Sequence, residues 1–202
     1  MLSALLFAAV LILIRLKMPE GVGDSTHWLN SERSGILTAT KLMPFAGITF
    51  LWFIGVVRDG FGRLEDRFFA TVFLCSGLLF LAMMFVSTAV AAALVASNTG
   101  VTDPAAHAEM VAFGKGIVVS AAKTYAIRMA AVFMISLATI WLKTGLMPRW
   151  LVAVTYLVAV GLLIAGDLSM WLTVAFPIWI LVVSVLLLTR AEFIDQQRAN
   201  HD

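Results

Sequence analysis

Three cations stand where an apolar chain would be expected to have none. Lys41, Lys123 and Arg128 fall in or at the edge of long apolar stretches, the last two within KTYAIRMAAVFMISLATIWLK, residues 123–143. Fixed positive charge at membrane depth is chemistry for anions: a lipid phosphate, a carboxylate ligand or an internal acid. Such a charge costs at least about 2.5–3.5 kcal/mol at the bilayer centre and less near its edge, so something must offset it. Snorkelling is one offset, because both side-chain types carry stems long enough to reach headgroups. A second is a shared cationic pocket, open to the outer side, formed by Lys41, Lys123 and Arg128. Internal ion pairs are a third, with Glu32, Glu109 and Asp167 on the correct side to be partners.

A ruler places the charges. Fourteen residues separate Arg128 from Lys143, about 21 Å of helix, which leaves Arg128 about 9 Å short of the far edge of a hydrocarbon core roughly 30 Å thick. Sixteen residues separate Lys41 from Arg58, about 24 Å, which leaves Lys41 about 6 Å short. Two helices thus carry cations to similar depth. Ser120, Thr124 and Arg128 are spaced by four, with Thr139 near the same stripe, and small polar stripes of this kind mark helix–helix contact.

Other chemistry is thin. Asp103, His107 and Glu109 could be grouped as a metal site, but Asp103 reads as a helix cap before Pro104, so no metal is expected. No histidine falls within an apolar span, which disfavours haem, and no cofactor is expected. GxSxG, HExxH and paired intramembrane aspartates are missing, and GFGR at 60–63 is a turn between spans rather than a phosphate cradle. The single cysteine, Cys75, lies in an apolar block and is expected to be a small buried hydrophobe.

The elements that hold these residues follow from composition. The chain is 61% hydrophobic and only 13% charged, about half the charge of a soluble domain, and its apolar residues come in blocks long enough to cross a bilayer. A net charge of +2 without a basic run gives no case for nucleic acid. The expected fold is all-α: a polytopic integral membrane protein, a compact bundle of six transmembrane helices over about 2–16, 36–57, 68–96, 117–142, 150–166 and 168–189. Residues 1–190 form one membrane domain and 191–202 a polar tail. A short outer interfacial helix is expected near 103–113, bent at Gly114 and Gly116 into the fourth span. Pro44 and Pro177 are expected kinks within spans two and six. The N-terminus lacks a basic region and a cleavage site, so it reads as a retained first helix. No internal repeat is visible, which counts against an inverted-repeat transporter.

Lysine and arginine in short loops set the orientation. Arg58, Arg63, Arg67, Lys143, Arg149, Arg190 and Arg198 fall on one side; Arg15, Lys17, Arg33, Lys115 and Lys123 fall on the other. Seven against five favours both termini in the cytoplasm, and the plasma membrane is the expected compartment. Trp52, Trp141 and Trp150 near the inner ends of their spans read as an aromatic belt. The expected function is non-enzymatic: a small accessory or subunit-type membrane protein binding anionic headgroups through the three cations. The alternatives are a small transporter or channel for an anionic solute and, less favoured, an intramembrane enzyme. Expected partners are membrane lipids, with a protein partner or a second copy within the membrane as a further option.

Overall fold

The computed structural model describes residues 33–59, 67–98, 103–165 and 170–199, with a few positions between 2 and 12; in the last stretch side chains are described for 174–189. Every described element is helical. These are α1 (Arg33–Asp59), α2 (Arg67–Ser97), α3 (Pro104–Val119), a π-helical turn (Ser120–Ala126), α4 (Ile127–Thr144), α5 (Arg149–Ala165) and α6 (Met170–Ala199). Among the described residues, three helices are long and apolar enough to cross a membrane: α1, α2 and the continuous 41-residue run from Pro104 to Thr144. Arg149–Ile164 and Val174–Thr189 are shorter apolar helices.

Local chemistry sets the breaks. The Asp103 carboxylate accepts hydrogen bonds from the backbone N–H groups of Ala105 and Ala106 at 2.9 and 3.3 Å. Pro104 follows at the first helical position, where its missing N–H costs nothing. At the other end Gly145 adopts φ +66° and its N–H donates to the Trp141 carbonyl at 2.9 Å. A side chain there would be strained, which is why glycine closes the helix. The Pro148 carbonyl then accepts from Leu151 and Val152 as α5 begins.

The fourth span is where sequence and structure part. The segment near 103–113 is not a separate surface helix bent at its glycines. It is the first part of one helix that runs to Thr144, packed antiparallel against α2 along its whole length. The His107 ring meets the Asn98 side-chain oxygen at 3.3 Å, the Ser87 hydroxyl donates to the Val118 carbonyl at 3.1 Å, Phe73 and Phe133 stack at 4.3 Å, and Lys143 lies 4.6 Å over the Phe69 ring. Gly114 is needed for close approach: a Cβ there would sit 2.6 Å from Leu94. Gly116 faces open space. α6 continues to Ala199.

Two cores result. The larger one centres on rings from α1, α2, α4 and α6. Phe50, Phe73, Phe80, Phe133 and Phe176 are all fully buried, with Phe50 5.5 Å from both Phe80 and Phe133. Gly77 opens the space for this contact, because a Cβ there would meet Ile54 at 2.8 Å and Phe133 at 3.0 Å. Val10 of the N-terminal segment is buried in the same core. Helices are tied across it by side chains: Thr139 pairs with the Tyr156 hydroxyl at 2.6 Å, and the Trp179 indole N–H donates to Thr155 at 2.9 Å. The smaller core joins Ile36, Ala91, Leu94, Val95, Val111 and Val118 beyond the ring cluster. The alanine-rich end of α2 makes this close packing available.

The two neighbouring glycines give a clean test. Gly114→Val pushes a side chain into Leu94 and is expected to cost about 1–3 kcal/mol, lowering Tm by several degrees. Gly116→Ala meets nothing and gains helix propensity, so its Tm stays level or rises. Equal effects at both positions would contradict the α2–α3 packing.

Candidate functional site

The π turn sits at the centre of the cation question. Val118, Ala122, Ala126 and Ala130 are all buried against α2. Their spacing is four, where an α-helix repeats every 3.6 residues. The wider turn takes up the difference, so that α3 and α4 present one face to α2 without a break. Arg128 belongs to this device. Its guanidinium Nη1 donates back to the Thr124 carbonyl, inside the π turn, at 3.1 Å.

Lys41, Lys123 and Arg128 lie on α1 and the long helix and differ in exposure. Lys123 and Arg128 are half-buried on the long helix. Lys41 is exposed, on the outward stripe of α1 with Phe45, Ile48, Trp52 and Val56. Heights nevertheless agree. α1 and α4 both run antiparallel to α2, and so run parallel to each other, with Phe50 against Phe133. Lys41 precedes Phe50 by nine residues and Lys123 precedes Phe133 by ten; Arg128 lies five residues below Lys123.

Of the proposed acid partners, only Glu109 falls among the described residues. Glu32 and Asp167 lie outside the described residues. Glu109 is exposed on α3, fourteen residues from Lys123 on the same unbroken helix. That is about 21 Å along the axis, beyond the reach of an ion pair. Asp103 is used as a helix cap and His107 as a partner of Asn98. The described His, Cys, Asp and Glu residues form no metal-holding group.

Several burial expectations reverse. On the long helix Ala122, Ala126 and Ala130 are buried, and Ser120 is exposed. Cys75 is exposed on the outer face of α2 rather than buried, on the side of Leu78 and Leu79. Trp141 is a core residue, 6.2 Å from Trp179, while Trp52 and Trp150 face outward. Ser184 is buried and its hydroxyl has no partner among the described residues.

One feature lies outside the sequence reading. A groove of about 530 Å³ runs between α2 and α3, lined by Met83, Val86, Phe113, Gly116, Ser120 and Tyr125 among others. The signal for it was the small-residue spacing Ala112, Gly116, Ser120, which lowers the helix surface on one side.

No family model matches the chain, and no curated protein and no solved structure matches it either. The site therefore stands on its own geometry.

Arg128→Met removes the donor to Thr124. The bond is worth about 1 kcal/mol, so Tm is expected to fall by about 2–4 °C. Amide exchange over residues 124–129 should rise in the same variant. Unchanged exchange there would contradict a role for the guanidinium in holding the turn.

Proposed function

We propose that this is a six-span, non-enzymatic membrane protein of the plasma membrane, with both termini cytoplasmic, whose cation belt holds anionic lipid headgroups at the outer boundary. The observation that carries the reading is a length. Lys123 and Lys143 are twenty residues apart on an unbroken helix, about 30 Å, the thickness of the hydrocarbon core. With Lys143 at the inner edge, Lys123 falls at the outer edge and Lys41 beside it, while Arg128 lies about 7 Å below, within snorkelling range. The charges then need no pocket to offset them. The helix above Lys123 continues to Pro104, and the small core around Leu94 and Val111 lies on that side of the belt. In this placement the outer third of the bundle stands clear of the hydrocarbon.

Filled space along the axis favours an accessory role over transport. Five fully buried phenylalanine rings occupy the region where a solute path would run, and Trp52 is 69% exposed on the outer surface, away from the buried Ser184.

Native mass spectrometry of protein purified from mixed phosphatidylethanolamine and phosphatidylglycerol tests the belt. A cation near a membrane surface contributes about 1 kcal/mol toward anionic lipid, so Lys41→Gln and Lys123→Gln should each lower the retained phosphatidylglycerol preference about fivefold. A preference unchanged in the double variant would remove headgroup binding from the account.

A further inference from the structure

We infer that the inner end of the α2–α4 pair holds the headgroup of an anionic glycerophospholipid, with Arg67 and Lys143 on its phosphate and the Phe68 ring against its acyl chains. The inference rests on the membrane placement proposed above and adds a second headgroup site, at the opposite boundary from Lys41 and Lys123. Four side chains compose it. The Phe68 and Phe69 rings meet edge to face at 5.2 Å. The Lys143 ammonium, from the last turn of α4, stands 4.6 Å over the Phe69 ring. Arg67 opens α2 beside Phe68 and is exposed, and its guanidinium has no protein partner among the described residues.

The surroundings select a lipid over a soluble anion. In the proposed placement Lys143 marks the inner edge of the hydrocarbon, and its contact with Phe69 sets the first turn of α2 at the same level. Phe68 is 66% exposed and opens an outward stripe that continues through Thr71, Cys75 and Leu79, on a helix long enough to span. Acyl chains cover that stripe, and it ends at two cations. A soluble anion would meet the cations and leave the ring bare, whereas an amphiphile at the boundary meets both. A guanidinium and an ammonium supply charge-assisted donors for phosphate oxygens. Two such cations favour a headgroup of net negative charge over one whose phosphate is balanced by its own amine, and the cytoplasmic leaflet is where anionic lipids gather.

Cys75 makes the site readable without a substitution. It is the chain's single cysteine and is exposed on the same stripe, eight residues from Arg67, about 12 Å along the helix. The full chain, carrying a fluorophore on Cys75, is placed in vesicles of phosphatidylethanolamine and phosphatidylglycerol, with a nitroxide on the acyl chain of one lipid or the other. At equal content the labelled phosphatidylglycerol should quench more strongly than the labelled phosphatidylethanolamine. Arg67→Gln and Lys143→Gln should each lower that preference about fivefold, the factor one cation contributes near a membrane surface. Lys143→Arg should keep it, and Lys41→Gln with Lys123→Gln should leave it unchanged. The preference should also be the same in phosphate and in chloride buffer of equal ionic strength; its loss in phosphate would assign the cations to a soluble anion and overturn the lipid. Equal quenching by the two lipids, or a preference that survives Arg67→Gln combined with Lys143→Gln, would overturn the headgroup site and leave the placement standing. Quenching by neither lipid would put this face of α2 outside the hydrocarbon, which overturns the placement and the site with it.

Discussion

The pairing of α2 with the 41-residue helix is the constraint on which the other features depend. Two antiparallel helices of this length cannot keep one face together unless their periodicities agree. A regular α-helix would carry the buried stripe around the axis between Val118 and Ala130. The π turn absorbs that drift, and buried alanines at 122 and 126 let the backbone approach α2 while it does so. The Thr124–Arg128 hydrogen bond is a consequence. So is the division into two cores, with rings below the turn and small aliphatic side chains above it.

An arginine inside an apolar segment looks expensive when the segment is taken to be the whole span. The cost falls once the helix is seen to run well past it. In the proposed placement Arg128 sits near the edge of the hydrocarbon, with the Thr124 carbonyl as partner and headgroups within reach. In that placement Lys41, exposed on α1, reaches the same layer without any need to enter the bundle. The same physical fact, that long cationic side chains are apolar for most of their length, serves both positions.

Much of the helical architecture was legible. Asp103–Pro104 as a start and apolar blocks between charged loops have direct local causes, and α1, α2 and α5 fall close to the expected bounds. What could not be read was rotation and continuity. Ser120, Thr124 and Arg128 repeat every four residues, and so do Ala122, Ala126 and Ala130. Polarity pointed to the first stripe as inward; packing chose the second, because close contact with α2 needs small side chains more than polar ones. Gly114 and Gly116 looked like a break, yet one is buried for close contact with Leu94 and the other opens a groove. Cys75 and Trp141 exchanged their expected environments for the same reason: in a chain this apolar, hydrophobicity does not tell the inside of the bundle from the outside.

Spin-label accessibility in vesicles, on a Cys75→Ser background, tests the central claim most directly. Labels at the exposed positions Ala105 and Met110 lie above the belt, and labels at Ile48 and Leu157 lie on faces assigned to lipid. The account predicts that the first pair relaxes with a water-soluble reagent and the second pair with dissolved oxygen. Oxygen-dominated relaxation at Ala105 and Met110, matching that at Leu157, would put the whole helix in hydrocarbon and contradict a boundary at Lys123.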